Sequence, residues 1–211
     1  MKRRVRVYTD YKSPYAYVAN RALFELERTH DVALEWLPYT LRIAEYLGSV
    51  EGRSPHDWRK VRYAYKDARR FANEQGLILK GPRRIYDGTL SSAGMLFAQR
   101  GGFFRPYHDT VFERFWSHQL DIDVLEQMSA LVTELGGDAG AFEAYPQDRA
   151  GDEVAAITAE AESLGVFGVP SMLLEGELFW GGDRIDALAR RLEARAGDPV
   201  NPASRRPSGS G

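Results

Sequence analysis

The chain opens with a β-α-β pattern packed into its first 38 residues, and this constrains the fold more than any other feature. Val5-Arg6-Val7-Tyr8-Thr9 alternates and is β-branched or aromatic, the signature of a strand. Ser13-Pro14 follows, with Ser suited to cap a helix and Pro to occupy its first turn. Tyr15-Ala16-Tyr17-Val18-Ala19 and Ala22-Leu23-Phe24-Leu26 then place apolar residues at helical spacing. Val32 to Pro38 is a second strand. A helix between two closely spaced strands favours parallel pairing through a right-handed crossover.

The middle of the chain reads differently. Asp57 to Gln75 is helical and basic, carrying Arg59, Lys60, Arg62, Lys66, Arg69 and Arg70. After a loop at Gly81-Pro82, the stretches Ser91–Gln99, Pro106–His118 and Val124–Leu135 are also helix-like. No strand is expected between Leu37 and Val169. Asp152 to Leu164 is a further helix. Ser171–Leu174 and Glu177–Trp180 read as a hairpin closed at Glu175-Gly176, and Arg184 to Arg195 as a closing helix. The expectation is an α/β fold in the order β-α-β, helical block, α-β-β-α. Residues 1–40 and 150–196 would form one discontinuous domain, 41–149 an all-helical insertion, and 197–211 a disordered Pro-, Gly- and Ser-rich tail.

Cysteine is absent, which excludes disulfides, thiolate metal sites and a cysteine nucleophile. His30, His56, His108 and His118 show no metal-ligand spacing, so no metal site is expected. A net charge of -2 gives no broad attraction to nucleic acid or an anionic membrane. The basic start at Met1-Lys2-Arg3-Arg4 precedes an apolar stretch too short for a signal peptide, and no run reaches the roughly 18–20 apolar residues of a membrane span. A soluble cytoplasmic protein is expected.

Three segments together carry a resemblance. Asp10-Tyr11-Lys12-Ser13-Pro14-Tyr15-Ala16-Tyr17 resembles the opening of 2-hydroxychromene-2-carboxylate isomerases and kappa-class glutathione transferases, members of the DsbA-like thioredoxin superfamily. In these proteins Ser-Pro stands where redox relatives carry cysteine. Gly165-Val166-Phe167-Gly168-Val169-Pro170-Ser171 resembles their cis-proline segment, and Phe179-Trp180-Gly181-Gly182-Asp183-Arg184 their glutathione-contacting turn. Lys60, Tyr63 and Asp67 match a weaker pattern in the helical insertion. The chain departs from the family at Tyr86-Asp87-Gly88-Thr89-Leu90, where Gly88 aligns with a usual Asn. The resemblance implies a thioredoxin-like fold with a helical insertion and a glutathione-dependent isomerase acting on a small aromatic substrate. A homodimer is implied as well.

Each candidate residue has a plain reading and a functional one. Ser13 either caps a helix or also donates a hydrogen bond to a bound thiolate, of glutathione or another small thiol, at the positive end of the helix dipole. Composition alone favours a trans Val169-Pro170 bond, since only about 5–6% of such bonds are cis. The resemblance implies cis, with the Val169 backbone pairing an extended peptide. Asp183 and Arg184 either begin a helix or bind the γ-glutamyl end, and Lys60 is either solvated surface or a partner for the glycine carboxylate. Tyr107, Val111, Phe112, Phe115 and Trp116 read as core, while Tyr11, Tyr15 and Trp180 are candidates to line an apolar pocket. Two rival functions remain: a kappa-like transferase or peroxidase, and a DsbA-like peptide-binding module without redox activity.

Overall fold

The computed structural model of the chain describes residues 2–43, 52–145 and 147–194. The tail expected from residue 197 lies outside the described residues. Strands β1 (Arg3–Thr9), β2 (Val32–Pro38), β3 (Ser171–Leu174) and β4 (Glu177–Trp180) form one sheet in the order β2-β1-β3-β4. β1 pairs β2 in parallel, with Val7 opposite Trp36, and pairs β3 antiparallel, with Val7 opposite Met172. β3 and β4 make the antiparallel hairpin read from the sequence, turning through Glu175-Gly176.

Helix α1 (Pro14–Thr29) supplies the crossover between β1 and β2. The helical block holds α2 (Pro55–Glu74), α3 (Thr89–Gly101), α4 (Phe104–Trp116), α5 (Leu125–Glu134) and α6 (Ala139–Ala144). Then α7 (Gln147–Ser163) returns to the sheet, and α8 (Ile185–Glu193) follows a single 3-10 turn at Gly182–Arg184. Among the described residues, no strand interrupts the stretch between β2 and β3. The short α6 has no periodic signature in the sequence. It forms because Asp138 caps it, accepting the Ala141 N–H at 2.9 Å, and because Phe142 is buried.

Strand alternation divides the apolar residues between two faces. Val5 and Val7 of β1, with Met172 and Leu174 of β3, enter the main core beneath α1. Tyr8 and Leu173 face the opposite way and meet Ala161 of α7 together with Tyr39, Val166 and Val169. The main core runs without a break into the helical block, where Tyr107, Val111, Phe112, Phe115 and Trp116 line one face of α4. Removing a ring at this depth costs about 3–5 kcal/mol.

Candidate functional site

Ser13 is the N-cap of α1 and is almost fully buried. Its backbone is extended, at φ -87° and ψ 116°, and its Oγ accepts the Ala16 N–H at 3.2 Å. Pro14 can open the helix because the first-turn N–H groups have no intrahelical partner to lose. The end of α1 faces the loop before β3, where the Val169-Pro170 peptide is cis. Ser13 Oγ lies 3.4 Å from the Val169 carbonyl oxygen, at the weak limit of a hydrogen bond. The Val169 N–H has no partner among the described residues. The Pro170 carbonyl accepts the Gly181 N–H at 2.9 Å, which fastens the cis loop to the end of β4.

These groups border a cleft of about 530 Å³. Lys12, Ser13 and Tyr15 form one side, Lys60, Val61 and Tyr65 of α2 a second, and Phe167, Val169 and Trp180 a third. Residues 39–43 complete the wall. Phe167 and Trp180 are large apolar side chains that remain 55% and 47% exposed, their ring centroids 4.8 Å apart. Glycine at 168 permits this arrangement, because a Cβ there would sit 3.0 Å from the Trp180 indole nitrogen. Tyr15 is held by its hydroxyl, which donates to Asp67 at 3.1 Å. Burial, reinforced by Asp67, pushes that phenol up to about 12, so it stays neutral in the physiological range.

The cleft thus brings together Ser13, Lys60 and Val169, with Pro170 in the adjoining cis bond. Lys60 is exposed, 3.5 Å from Asp57. Asp183 and Arg184 lie in the 3-10 turn beyond Trp180 and are not among the residues lining the cleft. They are exposed and pair with each other at 2.6 Å. Tyr63 is also exposed and away from the lining, while its pattern partner Asp67 holds Tyr15.

Tyr11 does not line the pocket, contrary to its candidacy in the sequence. It is buried, and its hydroxyl meets Nδ1 of His108 at 3.0 Å. Nε2 of His108 lies 3.0 Å from Oδ1 of Asn20, whose amide nitrogen donates to Asp109 at 2.9 Å. Asn20 Oδ1 is therefore an acceptor, which assigns the imidazole proton to Nε2 and leaves Nδ1 to accept from Tyr11. Burial lowers the His108 pKa to about 3, so the ring is neutral.

Lys12 is the site residue that the sequence reading missed. Its side chain is only 6% exposed although it borders the cleft. The ammonium donates to the carbonyls of Leu41, at 3.2 Å, and of Asp87, and lies 3.5 Å from the Asp10 carboxylate. Its aliphatic stem crosses directly over Gly88: a Cβ there would meet Lys12 Cε at 3.1 Å. Gly88 also has φ +78°, which disfavours any side chain. The glycine at this position therefore makes room for a buried lysine, and that glycine was the available signal.

A parallel βα crossover, a cis-proline loop opposite a helix N-terminus and a helical insertion define a DsbA-type protein of the thioredoxin fold. The chain belongs to the DSBA-like thioredoxin domain family, which matches residues 4–193. Within it, the chain is 34% identical over 206 residues to a 2-hydroxychromene-2-carboxylate isomerase of Pseudomonas sp. (strain C18), covering 93% of this chain and 92% of that protein. Identity to the protein of the same name from Pseudomonas putida is 32% over 188 residues, covering 87% and 91%. The solved structure of a 2-hydroxychromene-2-carboxylate isomerase superimposes with a TM-score of 0.75 at 29% identity, covering 90% of this chain and 94% of that one.

Proposed function

We propose that this chain is a glutathione-dependent isomerase of 2-hydroxychromene-2-carboxylate-like aromatic catabolites, with Ser13 holding the glutathione sulfur. The observation that carries this reading is a serine hydroxyl at a helix N-terminus, facing a cis-proline loop, in a chain without cysteine. The similarity to isomerases of that name supports the reaction class. The unpartnered Val169 N–H beside Ser13 and the lysine on the α2 wall suit a short anionic peptide.

Bound there, glutathione would supply a thiolate that adds reversibly to a ring-opened conjugated substrate, allowing rotation about the former double bond. The chain's own part is electrostatic and steric. The long contact from Ser13 to the Val169 carbonyl leaves its proton free to turn toward an anionic sulfur. The α1 N-terminus favours that anion by about 0.3–1 kcal/mol. Together these lower the thiol pKa and raise the thiolate fraction at neutral pH. Lys60 would pair with the glycine carboxylate. Asp183 would take the γ-glutamyl amino group and Arg184 a carboxylate, which requires their mutual ion pair to open. The exposed Phe167 and Trp180 rings would stack on the substrate ring and keep water from it.

The test is spectroscopic turnover of 2-hydroxychromene-2-carboxylate with and without glutathione. Turnover that requires glutathione and falls by about 10²–10³ in Ser13→Ala is expected, the scale for loss of one preorganised donor. Full activity without any thiol, or in Ser13→Ala, would contradict the proposal.

A further inference from the structure

The loop before Ser13 holds a buried pair that the proposed chemistry does not use. Asp10 accepts the Leu41 N–H at 2.8 Å through one carboxylate oxygen and the Lys12 N–H at 2.9 Å through the other. Lys12 in turn donates to the Leu41 carbonyl. Both sides of Leu41, its N–H and its C=O, are thus gripped by side chains two residues apart. The same ammonium reaches the Asp87 carbonyl, at the turn where Gly88 passes beneath it. The Asp10 carbonyl accepts the Ser13 N–H at 2.9 Å, so the grip is tied to the cap itself. Segment 39–43 is a wall of the cleft.

We propose that Asp10 and Lys12 are positioning residues, a charged clamp that fixes segment 39–43 and the 87–88 turn against Ser13 and so sets the cleft's fit to its ligand. The ligand part rests on the thiol-binding reading above, whereas the clamp itself does not. Burying two charges is favourable only when both are paired and hydrogen-bonded, and here the pair bonds the Leu41 and Lys12 backbone of the cleft wall and the Asp87 carbonyl beyond it. A strut needed only for packing would be served by an apolar side chain.

The clamp has a predictable pH signature. Burial raises the Asp10 carboxyl above its ordinary value, and Lys12 opposes that rise. Among the described residues Lys12 is the charged side chain acting on Asp10, the neutral phenol of Tyr11 also lies within its field, and Lys12 itself also faces the Asp87 carboxylate. Elsewhere on the cleft, Glu162 pairs with Arg42, and Lys60 with Asp57. Only the carboxylate form of Asp10 can accept both N–H groups and hold the ammonium, because protonation turns one oxygen into a donor. Ligand affinity therefore falls as pH drops through the Asp10 titration. Lys12→Met removes the charge that keeps Asp10 ionised, so this acid limb moves to higher pH, by at least about one pH unit.

The experiment combines amide exchange of segment 39–43 with calorimetric glutathione affinity against pH, in wild type and folded Lys12→Met. We expect exchange at least about ten-fold faster in the variant and the acid limb displaced upward. Wild-type exchange in the variant, or an unmoved acid limb while the wild type binds glutathione, would overturn the proposal. Faster exchange together with a wild type that binds no glutathione would leave the clamp standing and sink the thiol reading. If Lys12→Met does not fold, Asp10→Asn replaces it. That variant is expected to speed the same exchange and to remove the part of the acid limb that Asp10 contributes, leaving only the limb of the ligand's own carboxylates; an acid limb and exchange both identical to wild type would overturn the clamp.

Discussion

His108 offers a stability prediction that can be worked through from its surroundings. The ring is fully buried, neutral, and bonded at both nitrogens, to Tyr11 and to Asn20. In the unfolded chain it titrates near 6.5, whereas in the folded protein its pKa is about 3. Between these values the unfolded state holds the extra proton, so stability falls as pH falls, by about 1.4 kcal/mol per unit. From pH 7 to pH 4.5 this one residue removes about 2.5 kcal/mol. His108→Gln keeps a donor and an acceptor but cannot titrate. Its cost at pH 7, from a smaller side chain and imperfect bonds, is about 1–3 kcal/mol. Urea unfolding at both pH values should therefore show a gap at pH 7 that narrows by about 2.5 kcal/mol, or reverses, at pH 4.5. Parallel losses in wild type and variant would refute the assignment of a neutral buried imidazole.

Three further outcomes follow from the cleft. Gly88→Ala adds a Cβ about 3.1 Å from the Lys12 stem at φ +78°, and should destabilise the fold by about 2–4 kcal/mol in denaturant unfolding. Lys60→Gln removes an exposed charge, so Tm should stay within about 1–2 °C while calorimetry shows glutathione affinity falling by about three- to ten-fold. Trp180→Ala should raise KM for the aromatic substrate more than it raises Kd for glutathione, with little loss of stability because the ring is half exposed.

Much of the fold was legible because it is written in local patterns. The alternation of Val5 to Thr9, the Ser13-Pro14 start and the Glu175-Gly176 turn each specify an element without reference to distant residues. The helical stripe on α4 was legible for the same reason. Of the candidate site, only the helix cap at Ser13 and the Val169-Pro170 loop were legible, where residue type and chain position coincide. The place of Tyr11, a candidate for the pocket, was not legible because an aromatic beside a predicted cap fits a pocket or a core equally well. Its partner His108 lies 97 residues away, beyond any periodic signal. Lys12 was hidden for a related reason: a lysine in a short loop reads as surface, and its burial depends on Leu41, Asp87 and Gly88. Such long-range polar contacts leave no trace in local spacing.

In the proposed function, Ser13 lowers the pKa of a thiol that the chain binds but does not itself contain. Ultraviolet thiolate absorption of bound glutathione, titrated against pH, compares wild type, Ser13→Ala and Ser13→Gly. Gly is tolerated at an N-cap at a cost of about a few tenths of a kcal/mol and has no side-chain donor, so it separates the cap from the sulfur contact. A thiol pKa well below that of free glutathione is expected in wild type, raised by about one unit or more in both variants. The same pKa in all three proteins, or no thiolate signal in wild type, would contradict it.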